Sequence, residues 1–156
     1  MNQAQQIHSK TAEQARENLL DQLVVACKKV NGHSIHALLA LYADDVYYED
    51  SYKALQGKNA FLDYCTEFLS QRVATVKVIT SIQDADSFFI SWSASLEPGS
   101  GVGEKSRVEG ASYFKTRNGR IYFQRNYFDL GEFGTKMSKS RRPGWMRKKG
   151  SSRSGQ

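Results

Sequence analysis

Acidic residues are absent from Lys136 to Gln156, and that gap decides how the charge of this 156-residue chain is read. The stretch holds Lys136, Lys139, Arg141, Arg142, Arg147, Lys148, Lys149 and Arg153, while the residues before it carry fourteen cations against all sixteen acids. The formal net charge of +6 therefore belongs to a tail, and the body is mildly acidic. Cysteine is scarce too. Cys27 and Cys65 both fall inside apolar helical patterns and make no disulfide framework. With nothing resembling a secretory leader, the expected setting is reducing and cytoplasmic, or nuclear in a eukaryotic source. Long apolar runs are missing: the longest, Ala37 to Ala43, falls far short of the ~20 residues that a membrane-spanning helix needs. What is present, 40% apolar and 24% charged residues, is ordinary for one globular domain large enough to bury a core without metal or disulfide support.

Residues 1–10 are polar and Gln-rich and read as a flexible N-terminus, 11–133 as one domain, and 134–156 as a basic flexible tail. Thr11 and Gln14 have the form of a capping box, and Leu19, Leu20, Leu23, Val24, Cys27 and Val30 recur at helical spacing until Asn31-Gly32 stops the helix. A second short helix is expected over Ser34 to Tyr42. Asp44-Asp45 then turns the chain into a strand, Val46 to Ser51, with Val46, Tyr48 and Asp50 on one face and Tyr47 and Glu49 on the other. After a loop holding Gly57, Asn59 is placed to cap a third helix that buries Phe61, Leu62, Cys65, Phe68 and Leu69.

The remainder reads as four strands rich in β-branched and aromatic residues: Val73 to Ile82, Ser87 to Leu96, Arg107 to Thr116 and Arg120 to Leu130. Asp84-Ala85-Asp86 suits a tight hairpin, Glu97 to Gly103 a longer one, and Asn118-Gly119 a type I′ turn. A four-stranded antiparallel meander follows, with the first strand added at an edge. The last strand places Tyr122, Gln124, Asn126 and Phe128 on one face and Ile121, Phe123, Arg125 and Tyr127 on the other, so aromatic surface occupies both. Helices cover one side of such a sheet; a second copy of the chain is the expected cover for the convex side, with the tail or loops as the alternative.

The run LLALYADDVYYED from Leu38 to Asp50, Gly57 before the third helix, and GASYFKTRNGRIYFQRNYFDL from Gly110 to Leu130 carry a resemblance. They look like the nuclear-transport-factor-2-like superfamily, in its SnoaL-like branch of polyketide cyclases, limonene-epoxide hydrolase and ketosteroid isomerase. The resemblance spans Leu19 to Phe133. It implies an α+β fold of order α-α-β-α-β-β-β-β, a cone-shaped curved antiparallel sheet wrapped around three helices, with a pocket between them and dimerisation through the outer sheet face. The superfamily hosts isomerases, hydrolases, cyclases and non-catalytic members, so the fold alone does not name a reaction.

Carried over residue by residue, the water-holding tyrosine and asparagine of limonene-epoxide hydrolase match Tyr48 and Asp50, and its last-strand aspartate matches Asn126. A carboxylate and an amide have thus changed places. Its arginine and second aspartate fall at Trp92 and Ala94, which removes the acid that opens an epoxide. In the comparison with ketosteroid isomerase, Ala43-Asp44-Asp45 and Glu49-Asp50 put Asp50 at the general base, while the oxyanion-hole tyrosine and aspartate fall near Ala26 and Ser112. The acid/base aspartate of SnoaL-type cyclases again corresponds to Asn126.

The candidate catalytic set is therefore Asp50, Tyr48 and Asn126, with Trp92, Tyr64, Phe68, Phe128 and Ser112 as candidate pocket residues. Asp50 reads as a base in an aromatic pocket or, alternatively, as a carboxylate capping a turn or paired with Lys53. His33 and His36 have no third ligand nearby in sequence, and no metal or cofactor is expected. Two functions follow. The first is a homodimer that binds a small, largely apolar molecule and carries out proton transfer, isomerisation or water addition with Asp50 as base. The alternative is a non-catalytic dimeric module whose tail, Lys136 to Arg153 with Trp145, contacts nucleic acid, protein or an anionic surface without sequence preference.

Overall fold

Four long strands rich in β-branched and aromatic residues build one wall of the molecule. The computed structural model describes residues 19–70, 72–101 and 105–128. The expected N-terminal segment, the start of the first helix and the basic tail lie outside them. Helical residues 19–27 (α1) and Ile35–Leu39 (α2) precede strand Tyr42–Glu49 (β1), a short strand Ala54–Gln56 (β2), helix Lys58–Leu69 (α3), and strands Arg72–Asp84 (β3), Ser87–Pro98 (β4), Ser106–Arg117 (β5) and Arg120–Phe128 (β6). The strands form one curved, unclosed sheet in the order β2-β1-β6-β5-β4-β3, the α+β cone that the resemblance implies.

Several details differ from the sequence reading. β1 joins an edge of the meander, as expected, and runs parallel to β6, but a further strand, β2, lies outside it, antiparallel. Three residues, Ala54-Leu55-Gln56, are too few to show a strand period, so the loop reading missed them. β1 also starts earlier, because Tyr42 pairs with Ile121 and the Leu41 carbonyl accepts the Ile121 N–H; the chain leaves α2 after Leu39 instead of continuing to Tyr42.

The helices are joined to the sheet by backbone as well as by side chains. Asn31 closes the turn after α1 by accepting the His33 and Ser34 N–H groups on its side-chain oxygen, and Val30 exchanges two hydrogen bonds with Ala74 of β3. The residue before α3 is Gly57 at φ 92°, whose N–H reaches the Val46 carbonyl. Asn59 therefore sits inside the first turn rather than capping it, because a backbone that glycine alone adopts easily sets the entry one residue before Lys58. At the other hairpin, Asn118 and Gly119 both have positive φ, as the type I′ reading requires.

The core lies between the concave face and the helices. Tyr42, Leu23, Ile35, Ile121 and Val46 are its most buried large side chains, each contributing about 1.5–3 kcal/mol by leaving water. Ile121 corrects the face assignment of β6. A register shift between Lys115 and Thr116 turns Ile121 to the same side as Gln124, Asn126 and Phe128, while Tyr122 lies against the Arg117 guanidinium. On the outer face Tyr47 stacks on Phe123, which Tyr113 meets edge-on.

Candidate functional site

A cavity of about 240 Å³ opens between the three helices and the concave face of the sheet. Its wall is almost entirely apolar. All eight residues singled out from the sequence line it: Tyr48 and Asp50 from β1 and the turn after it, Tyr64 and Phe68 from α3, Trp92 from β4, Ser112 from β5, and Asn126 and Phe128 from β6. The period of two along each strand puts the sheet residues on the concave side, and the four-residue spacing of Tyr64 and Phe68 puts them on one helical face.

Asp50 uses its two oxygens differently. Oδ1 accepts the backbone N–H groups of Tyr52 (2.8 Å) and Lys53 (2.9 Å), closing the β1–β2 turn. Oδ2 accepts the phenol hydroxyls of Tyr48 (2.9 Å) and Tyr64 (2.6 Å) at the cavity wall. The carboxylate thus caps a turn and reaches the cavity together. The Lys53 ammonium takes no part, lying instead 5.3 Å from the centre of the Tyr64 ring.

Behind Tyr48 the polar groups form a relay with one direction. Asn126 donates to the Tyr48 oxygen at 3.0 Å, and the Asn126 carbonyl accepts Ser112 at 2.6 Å and Gln124 at 2.8 Å. Ser112 in turn accepts the Trp92 indole N–H at 2.8 Å, and Gln124 accepts the buried Tyr42 hydroxyl at 2.6 Å. A hydroxyl has one proton to give, so each donor passes the polarity forward and the chain ends on Asp50. Burial pushes the Tyr48 and Tyr64 phenols well above their ordinary range, and the neighbouring Asp50 carboxylate adds to the shift, so both remain protonated donors. Burial also pushes the Cys27 and Cys65 thiols up to about 12, which makes these cavity-lining sulfurs poor nucleophiles.

Sequence reasoning missed Gln124 and Tyr42 as members of this network. The signal was available for Gln124: an amide on the core-facing side of an aromatic strand needs a buried partner. Tyr42 was hidden by its expected place in a helix. Trp92 spends its only donor on Ser112, and its ring passes so close to Gly110 that a Cβ there would sit 2.6 Å from it. Asp44 and Asp45 lie outside the site, paired with Lys58 and Arg117. Among the described residues no three His, Cys, Asp or Glu side chains gather as a metal site.

This cavity, bounded by a curved sheet and three helices, defines a class, and residues 26–124 match the SnoaL-like domain model. The chain belongs to the SnoaL-like domain family, within the nuclear-transport-factor-2-like superfamily. No curated protein matches it significantly. Among solved structures, it is similar to a candidate polyketide cyclase from Xanthomonas campestris pv. campestris, 19% identical over 81% of this chain and 99% of that one, with a TM-score of 0.69. An epoxide hydrolase from M. tuberculosis, resembling limonene-epoxide hydrolase, is 17% identical over 76% and 86% of the two chains, TM-score 0.63. A protein with a ketosteroid isomerase-like fold from Catenulispora acidiphila, in complex with trimethylamine, is 17% identical over 76% and 90%, TM-score 0.64. At these identities the likeness is one of fold. No described helix is long and apolar enough to cross a membrane.

Proposed function

We propose that the cavity binds a small, largely apolar molecule and that Asp50 is its hydrogen-bond acceptor or general base, with Tyr48 and Asn126 fixing the carboxylate. One observation carries the reading: a carboxylate oxygen, backed by a relay of oriented donors, stands at the polar end of an otherwise apolar cavity. Such an oxygen suits cofactor-independent proton transfer, isomerisation or water addition. Trp92 and Ala94 occupy the positions that the resemblance assigns to an epoxide-opening acid, and neither can donate a proton to a leaving oxygen; reactions that need only a base fit better.

The same missing acid, together with the acid-free run from Lys136 to Arg153, favours a second reading: a non-catalytic module whose tail contacts a polyanion. In either reading the protein is a homodimer through the outer sheet face, supported by the Tyr47, Phe123 and Tyr113 rings and by exposed Ile82 and Tyr127. Two unbridged, unreactive thiols support a cytoplasmic setting. Deuterium exchange into the α positions of cyclohexanone, followed by NMR in deuterated water, tests the first reading. The expected result is catalysed exchange by the full chain, lost in Asp50→Asn and unaffected by deletion of residues 136–156. An Asp50→Asn variant with unchanged exchange and ligand binding, beside a tail deletion that abolishes a salt-sensitive polyanion complex, would establish the second reading instead. Sedimentation of Ile82→Lys/Tyr127→Lys as a monomer beside a dimeric wild type is expected; a monomeric wild type removes the dimer.

A further inference from the structure

Among the described side chains that line the cavity, only Asp50 carries a charge. Its four hydrogen bonds all come from donors, and the two on Oδ1 come from backbone amides, which cannot turn round to accept. This is the arrangement of an ionised carboxylate. None of the described Lys, Arg or His side chains forms an ion pair with it; the five ion pairs of the described residues join other acids. Lys53, the cation nearest in sequence, holds Asp50 through its backbone N–H, keeps its ammonium over the Tyr64 ring, and does not line the cavity. An anion in a largely apolar enclosure without a counter-charge is costly, and a cation brought by the ligand relieves that cost.

The walls beside the carboxylate favour the same charge. Tyr48 and Tyr64, whose hydroxyls grip Oδ2, face the cavity with ring centres 5.7 Å apart, and Trp92 and Phe128 form a second tilted pair at 6.1 Å. Aromatic faces attract ammonium groups, most strongly where water is excluded. A carboxylate or phosphate ligand would meet like charge and find no cation among the described lining residues. A neutral alcohol would satisfy the acceptor and leave the charge uncompensated.

Resting on the small-molecule reading above, we infer that the ligand is a small amine: an apolar ring or branched chain bearing one ammonium group, which docks on Asp50 between the aromatic rings. The test uses the full chain and three probes of nearly equal shape: cyclohexylamine, cyclohexanol and cyclohexanecarboxylate, titrated calorimetrically at neutral pH. The protonated amine is expected to bind at least about tenfold more tightly than the alcohol, with the carboxylate weakest. Asp50→Asn is expected to erase the preference for the amine over the alcohol. If the alcohol binds as well as the amine, the amine assignment is wrong and the small-molecule reading stands. If none of the three binds, both fall. A folded Asp50→Asn variant that keeps the amine preference also overturns the assignment, because the cation then sits elsewhere. The comparison of probes on the wild-type chain needs no variant, so it decides the matter even if Asp50→Asn fails to fold.

Discussion

Replacing Gln124 by leucine should damage the protein more than its distance from Asp50 suggests. Gln124 is buried at 8% exposure and makes two hydrogen bonds, accepting from Tyr42 at 2.6 Å and donating to Asn126 at 2.8 Å. The Asn126 carbonyl keeps Ser112 as a donor, so that loss is an ordinary hydrogen bond of about 0.5–1.5 kcal/mol. The Tyr42 hydroxyl, on a residue 2% exposed, is left without its acceptor, a desolvation penalty of about 1–3 kcal/mol. Gln124→Leu is therefore expected to cost about 2–4 kcal/mol, a fall in Tm of roughly 5–15 °C for a chain of this size. Tyr42→Phe alone leaves the Gln124 oxygen unpaired and should cost about 1–3 kcal/mol. The double variant puts apolar groups on both sides and should cost less than Gln124→Leu alone, giving a coupling of about 2 kcal/mol. Urea denaturation with unchanged m-values measures all three. Additive costs, or a loss below about 0.5 kcal/mol for Gln124→Leu, would refute the claim that Gln124 and Tyr42 form one buried unit.

Four further outcomes are expected. Gly110→Ala places a Cβ 2.6 Å from both the Trp92 ring and the Tyr127 carbonyl, so it should destabilise by about 2 kcal/mol or more and shift tryptophan fluorescence; a neutral effect would mean the ring moves freely. Cys27 and Cys65 should resist thiol reagents until the chain unfolds. Their folded values of about 12 lie above the ordinary 9.0, so between these pH values the unfolded chain binds fewer protons, and stability should fall as pH rises from 9.0 toward 12. The raised Tyr42, Tyr48 and Tyr64 phenols add to that fall above pH 10, and a flat pH–stability curve across this window contradicts both sets of shifts. Arg117 donates to the Asp45 carboxylate and holds its pKa below the ordinary range, so Arg117→Ala should move it upward in an NMR titration; an unmoved value removes the ion pair.

Much of the site was legible because strand periodicity is local. Alternation alone places Tyr48 with Asp50, and Asn126 with Gln124 and Phe128, since neighbours on a strand point to opposite faces. What alternation cannot carry across is a bulge. Ile121 was assigned to the outer face and lies in the core because one residue is added to β6 opposite β5, reversing the parity of everything before it. The short strand β2 and the parallel pairing of β1 with β6 were illegible for another reason: both depend on partners distant in the chain, and three residues carry no period.

The sequence by itself determined which side chains of β1, and of β6 beyond its bulge, face inward, where the hairpins turn, and which carboxylate is placed for the cavity, because propensity, turn chemistry and face are properties of neighbouring residues. Only the tertiary structure decided what Asp50 does with its two oxygens. The turn at Tyr52 and Lys53 claims one, and α3 brings Tyr64 across to the other. It also decided that Tyr42, Gln124 and Trp92 end in one relay, because hydrogen bonds between residues as far as 82 positions apart exist only after the sheet and helices close around them.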